Sequence, residues 1–74
     1  MATMVIGIGT RVRVRDQEGE EHYTIVDPSD ADPGRGLISS ESPMGRALIG
    51  RSVGETVKVP GPSGAFYAQI LEVR

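Results

Sequence analysis

Few residues in this chain are of types that do chemistry, and their spacing argues against most of it. His22 is the sole histidine, and no serine or carboxylate stands where it would complete a proton-relay triad with it. It reads as a half-exposed side chain on a strand. Asp30, Asp32 and Glu41 fall at positions 1, 3 and 12 of a calcium loop, but Gly34 occupies position 5, Arg35 takes the place of the obligatory glycine, and Pro33 breaks the turn. Asp27, Asp30 and Asp32 are therefore expected to be loop-forming residues, and no metal is expected. Gly7-Ile8-Gly9 has neither a buried strand before it nor a helix after it, so it is not a dinucleotide fingerprint. Cysteine is absent, which excludes disulfides and thiolate zinc sites. No cofactor and no catalytic group are expected.

Two features remain that suit binding. Arg11, Arg13 and Arg15 alternate with Val12 and Val14, which puts three guanidinium groups on one sheet face. Such a stripe fits an acidic partner surface or a phosphate backbone, and it is equally an ordinary solvated face whose charges discourage edge pairing. Glu18, Glu20 and Glu21 are placed to pair with it across a hairpin. The net charge of −2 opposes strong direct nucleic-acid binding. The second feature is Glu41-Ser42-Pro43, which is either the lead-in to a capped helix, an exposed contact point, or both.

The elements that hold these residues follow from the chain's punctuation. Arg11–Arg15 and His22–Val26 read as two strands joined through the polar stretch Asp16–Glu20. Asp27–Gly36, with two prolines and two glycines, is a loop without regular structure. Leu37–Ser40 is a short third strand. Ser42 caps a helix of about two turns whose first position is Pro43 and whose Met44, Ala47 and Leu48 share a face; Gly50 closes it. Glu55–Val59 is a fourth strand. Ala65–Val73 is a fifth, with apolar residues on both faces, as in a central or doubly covered strand. The expectation is one α+β domain over residues 9–74, with five mostly antiparallel strands and one short helix between strands three and four. Residues 1–8 are expected to form a ragged N-terminal segment. With 74 residues the core is thin and a deep pocket is not expected. No signal peptide or membrane-spanning run is visible, so no membrane association and a cytoplasmic location are expected.

Three stretches in this order carry a family resemblance. Tyr23-Thr24-Ile25-Val26-Asp27-Pro28 with Asp30-Ala31-Asp32 is similar to a "Y-x-I-V-G-x-x-E-A-D" segment. Leu37-Ile38-Ser39-Ser40-Glu41-Ser42-Pro43-Met44-Gly45-Arg46-Ala47-Leu48-Ile49-Gly50 is similar to "I-S-x-[ND]-S-P-[IML]-[AG]-R-A-L-[IL]-G", and is the most specific of the three. Val53–Val59 followed by Pro62-Ser63-Gly64 is similar to "V-G-D-x-V-x-V" and "P-x-G". Together they resemble the C-terminal domain of the Gre family of bacterial transcription elongation factors, with its relatives the Gre-like inhibitors and the nucleoside diphosphate kinase regulator.

The resemblance implies an FKBP-like fold and a partner, bacterial RNA polymerase, bound through the β′ coiled coil at the rim of its secondary channel. The family's polymerase contact falls on Glu41, Ser42 and Pro43, with Met44 and Arg46 on the same segment. Glu41 stands where the family usually has Asp or Asn. The family's transcript-cleavage function resides in a separate N-terminal coiled coil; these residues contain no heptad pattern, so cleavage stimulation is not implied. Alternatives are a general protein–protein adaptor of the same fold and a prolyl isomerase. The latter is opposed by only three aromatics, Tyr23, Phe66 and Tyr67, to line a pocket.

Overall fold

The computed structural model describes residues 4–74. Five strands form one mixed sheet: β1 (Arg11–Asp16), β2 (Gly19–Val26), β3 (Leu37–Ser39), β4 (Thr56–Val59) and β5 (Phe66–Val73), in the order β3-β2-β1-β5-β4. The β2–β3 pair is parallel and the other three pairs are antiparallel. The helix α1 (Pro43–Leu48) lies between β3 and β4 in the chain, as expected from the sequence. It therefore crosses from one sheet edge to the other and covers one face.

Alternation decides which face is covered. Val12 and Val14 of β1, Ile25 of β2, Val57 and Val59 of β4, and Ala68, Ile70 and Val73 of β5 are buried, and Leu48 from α1 closes over them. Ala68, Ile70 and Val73 cannot share a face in a regular strand. They do so here because β5 carries a bulge. Val14 pairs with Ile70 and Arg13 with Glu72, so one residue, Leu71, is extra on β5 and flips the alternation beyond it. The apolar residues on both faces of this strand thus reflect a bulge, and only secondarily its place between β1 and β4.

Three local readings change. The β1–β2 connection is tighter than the polar stretch suggested, since Asp16 already pairs with Gly19. The loop after β2 contains two single 3-10 turns, Pro28–Asp30 and Pro33–Arg35, each with proline at its start. The Asp27 side chain caps the first by accepting from the Ser29 N–H. The reading of residues 1–8 as a ragged segment includes residues 1–3, which lie outside the described residues. It does not fit Ile6, which is 1 % exposed and joins the core. The Ile6 N–H donates to the Arg51 carbonyl at 2.9 Å and its carbonyl accepts from Gly50 at 2.8 Å. A tight turn from Gly7 to Thr10 then delivers the chain to β1.

The thinnest dimension of the molecule is 17 Å, room for one sheet and one helix layer. Among the described residues no helix is long and apolar enough to cross a membrane.

Candidate functional site

Hydrogen bonds from Ser39 and Ser42 tie down the backbone of the segment from Ser39 to Arg46. The Ser42 hydroxyl accepts from the Gly45 N–H at 3.0 Å, the N-cap expected from the sequence, and donates to the Ser39 carbonyl at 2.7 Å. That carbonyl also accepts from the Ser42 N–H at 3.1 Å, and the Ser39 hydroxyl accepts from the Glu41 N–H at 3.0 Å. Gly45 lets the helix sit this close: a Cβ there would collide with the Ser39 carbonyl oxygen. Leu48 is fully buried, while Met44 and Ala47 pack partly buried against the core.

The five residues singled out from the sequence therefore divide. Glu41, Pro43 and Arg46 are exposed and line one shallow groove of about 360 Å³ together with Lys58 and Pro60. Neither Glu41 nor Arg46 forms an ion pair or side-chain hydrogen bond with another described residue. Their charges are free to meet a partner. Ser42 faces inward as the cap. Met44 rims a neighbouring apolar hollow of about 310 Å³, shared with Ile38, Pro43, Val59, Pro60 and Phe66. Of the aromatics only Phe66 lines it.

Lys58, Pro60 and Phe66 were not singled out from the sequence. They reach the site through the β4–β5 pairing, Lys58 opposite Tyr67 and Val59 opposite Phe66, which places the end of β4 beside α1. In the sequence, only the prolines and glycines of Pro60-Gly61-Pro62-Ser63-Gly64, between the fourth and fifth strands, mark a turn there. A third hollow, about 340 Å³, lies at the β1–β2 turn against Phe66 and is lined otherwise by Asp16, Gln17 and Glu18; it shares no residue with the Glu41–Arg46 segment.

His22 is exposed on β2 opposite Arg13. Among the described residues no group of three His, Asp or Glu side chains could hold a metal ion. Of the carboxylates expected to pair with the arginine stripe, Glu20 does so, at 2.7 Å from Arg13. Arg15 instead donates to Gln69 at 2.9 Å.

The family model described as "Transcription elongation factor, GreA/GreB, C-term" matches residues 1–74. The chain is 49 % identical over 72 residues to a transcription elongation factor GreA of Clostridioides difficile, covering 95 % of this chain and 45 % of that protein. It is 46 % identical over 74 residues to that of Acetivibrio thermocellus, covering 97 % and 46 %. The chain thus spans about half the length of the curated relatives it matches. Among solved structures, Gfh1 of Thermus aquaticus superposes with a TM-score of 0.87 at 28 % identity, over 99 % of this chain and 50 % of that one. A GreA/GreB factor from Nitrosomonas europaea superposes with a TM-score of 0.78 at 32 % identity, over 99 % and 62 %.

Proposed function

The chain belongs to the GreA/GreB transcription elongation factor family, which it matches in the C-terminal part, and we propose that it is a non-catalytic module that binds bacterial RNA polymerase during elongation. The docking site is the rim of the secondary channel, at the β′ coiled coil. The contact is made by Glu41, Pro43 and Arg46 directly, with Met44 and the apolar hollow beside them, while Ser42 holds the segment in shape. Occupying that rim, the module competes with other factors that enter the channel.

One observation carries this reading. An acidic, a basic and a proline side chain point outward, without an ion pair or side-chain hydrogen bond to a described residue, from a segment whose backbone is tied down by Ser39 and Ser42. A surface so ordered loses little conformational entropy on binding, which favours recognition. The test is binding of the chain to polymerase core enzyme. Glu41→Ala and Pro43→Ala are each expected to weaken binding about tenfold or more, as central interface residues do, without changing thermal stability. Equal affinity of both variants and the parent would remove the site from this surface and leave an adaptor with another partner.

A further inference from the structure

The sheet face turned away from α1 has a composition that, Lys58 apart, the docking site does not use. Strand register fixes its members. Arg11, Arg13 and Arg15 stand opposite Thr24, His22 and Glu20 on one side, and Arg13 and Arg15 opposite Glu72 and Gln69 on the other. Gln69 and Tyr67 stand opposite Thr56 and Lys58. Arg74 exchanges backbone hydrogen bonds with Arg11 and continues the row. The face thus holds five cations, Arg11, Arg13, Arg15, Lys58 and Arg74, against two carboxylates, Glu20 and Glu72, a formal charge of +3. The remaining three arginines and eight carboxylates give the rest of the chain −5. The net charge of −2 therefore conceals a strongly polarised molecule.

Pairing inside the face leaves part of this charge available. Arg13 lies between Glu20 at 2.7 Å and Glu72 at 3.5 Å, and Arg74 meets Glu72 at 2.9 Å. Arg11, Arg15 and Lys58 are exposed and form no ion pair with a described residue. Among them lie two flat rings: His22, exposed, and Tyr67, 60 % exposed although it sits in a strand of the sheet. Exposed cations around an exposed aromatic on an open sheet make a platform on which a base stacks while neighbouring phosphates are neutralised.

We infer that this outer sheet face is a second binding surface, for single-stranded nucleic acid, read through its phosphates and bases without sequence preference. An acidic protein surface would use the cations, whereas single-stranded nucleic acid brings both phosphates for the cations and flat bases that stack on Tyr67. Lys58, on the edge strand, also lines the groove beside Glu41, so the two surfaces meet there, while Arg11, Arg15 and Tyr67 lie outside that groove. With about three free cations, affinity is weak and falls with salt at a logarithmic slope of about −2, a loss of about twentyfold between 50 and 200 mM.

Binding of a twelve-nucleotide uridine or thymidine oligomer, titrated at several salt concentrations, tests this. The chain has no tryptophan, so tyrosine emission is readable, and Tyr23 is partly buried against the core. The expected result is quenching of Tyr67 emission on binding. Tyr67→Ala should weaken binding about tenfold, and Tyr67→Phe should abolish the quench while keeping affinity within about twofold. Arg15→Glu should weaken binding several-fold, whereas Arg35→Glu, an equal charge change in the loop before β3, should not. Equal unfolding temperatures establish that the variants fold. Absence of binding, or equal effects of Arg15→Glu and Arg35→Glu, would overturn the inference. Binding of a polyglutamate of equal charge as tight as the oligomer, with no tyrosine quench, would overturn it in favour of an acidic protein partner.

Discussion

Ser42 is worth more than one hydrogen bond. Its hydroxyl caps α1 and ties the helix to the Ser39 carbonyl, so Ser42→Ala removes a cap and one partner of a half-buried carbonyl together. A loss of about 1–2 kcal/mol in a urea titration is expected. Ser42→Ala should weaken polymerase binding less directly than Glu41→Ala, because Ser42 does not face the groove. Glu55 and Glu72 give the residue scale a pH dependence. Hydrogen bonds from the Ser52 N–H, then from its hydroxyl, hold the Glu55 carboxyl below its ordinary value, with Arg51 nearby. Arg74, and then Arg13, do the same for Glu72. Depressed carboxylates contribute stability that is complete above the unfolded value near 4.5 and is lost as pH falls through the lower folded values. The melting temperature should therefore decline below about pH 4.5, and Glu55→Gln should flatten part of that decline. Both groups are solvent-exposed, so the effect is expected to be small.

At the scale of elements, α1 has six helical residues and cannot persist alone. Its place depends on Leu48 and on the close approach at Gly45. Leu48→Ala should cost about 2–5 kcal/mol, a large part of the roughly 4–11 kcal/mol available to a domain this size. Gly45→Ala raises helix propensity by about 1 kcal/mol but places a methyl against the Ser39 carbonyl oxygen. Net destabilisation in thermal unfolding is expected, and a more stable variant would contradict the packing described. The bulge makes a sharper case. Removing Leu71 leaves Ile70, Glu72 and Val73 alternating in, out, in against their existing partners Val14, Arg13 and Val12. The deletion variant should therefore unfold cooperatively and keep the native amide pattern by NMR.

These elements also show what the sequence could disclose. Strict alternation in Arg11–Arg15 and Thr56–Val59, and the Ser42-Pro43 start of the helix, are local signals, and the structure repeats them. Leu71 is different. A bulge is defined by the partner strand, so β5 alone shows only apolar residues on both faces. Ile6 lies among glycines with no periodicity, and its burial depends on the backbone of Gly50 and Arg51, far along the chain. In the site, Glu41, Ser42 and Pro43 were legible from a contiguous motif. Lys58, Pro60 and Phe66 were not, because a distant hairpin brings them there. Gly45 could have been noticed as a glycine in a helix interior, where it costs stability unless close packing requires it.

The whole molecule is a thin two-layer plate with different chemistry on its two sides. The helix side presents an ordered, mixed-charge groove beside an apolar hollow, and the open sheet side presents the excess positive charge. Family membership gives the first side its partner by proposal. The most direct measurement is binding of this chain to bacterial RNA polymerase core enzyme, with a full-length GreA added as competitor. The account expects saturable binding that the full-length factor displaces and that Glu41→Ala and Pro43→Ala weaken. Binding that persists under saturating competitor, or none at tens of micromolar chain, would contradict it.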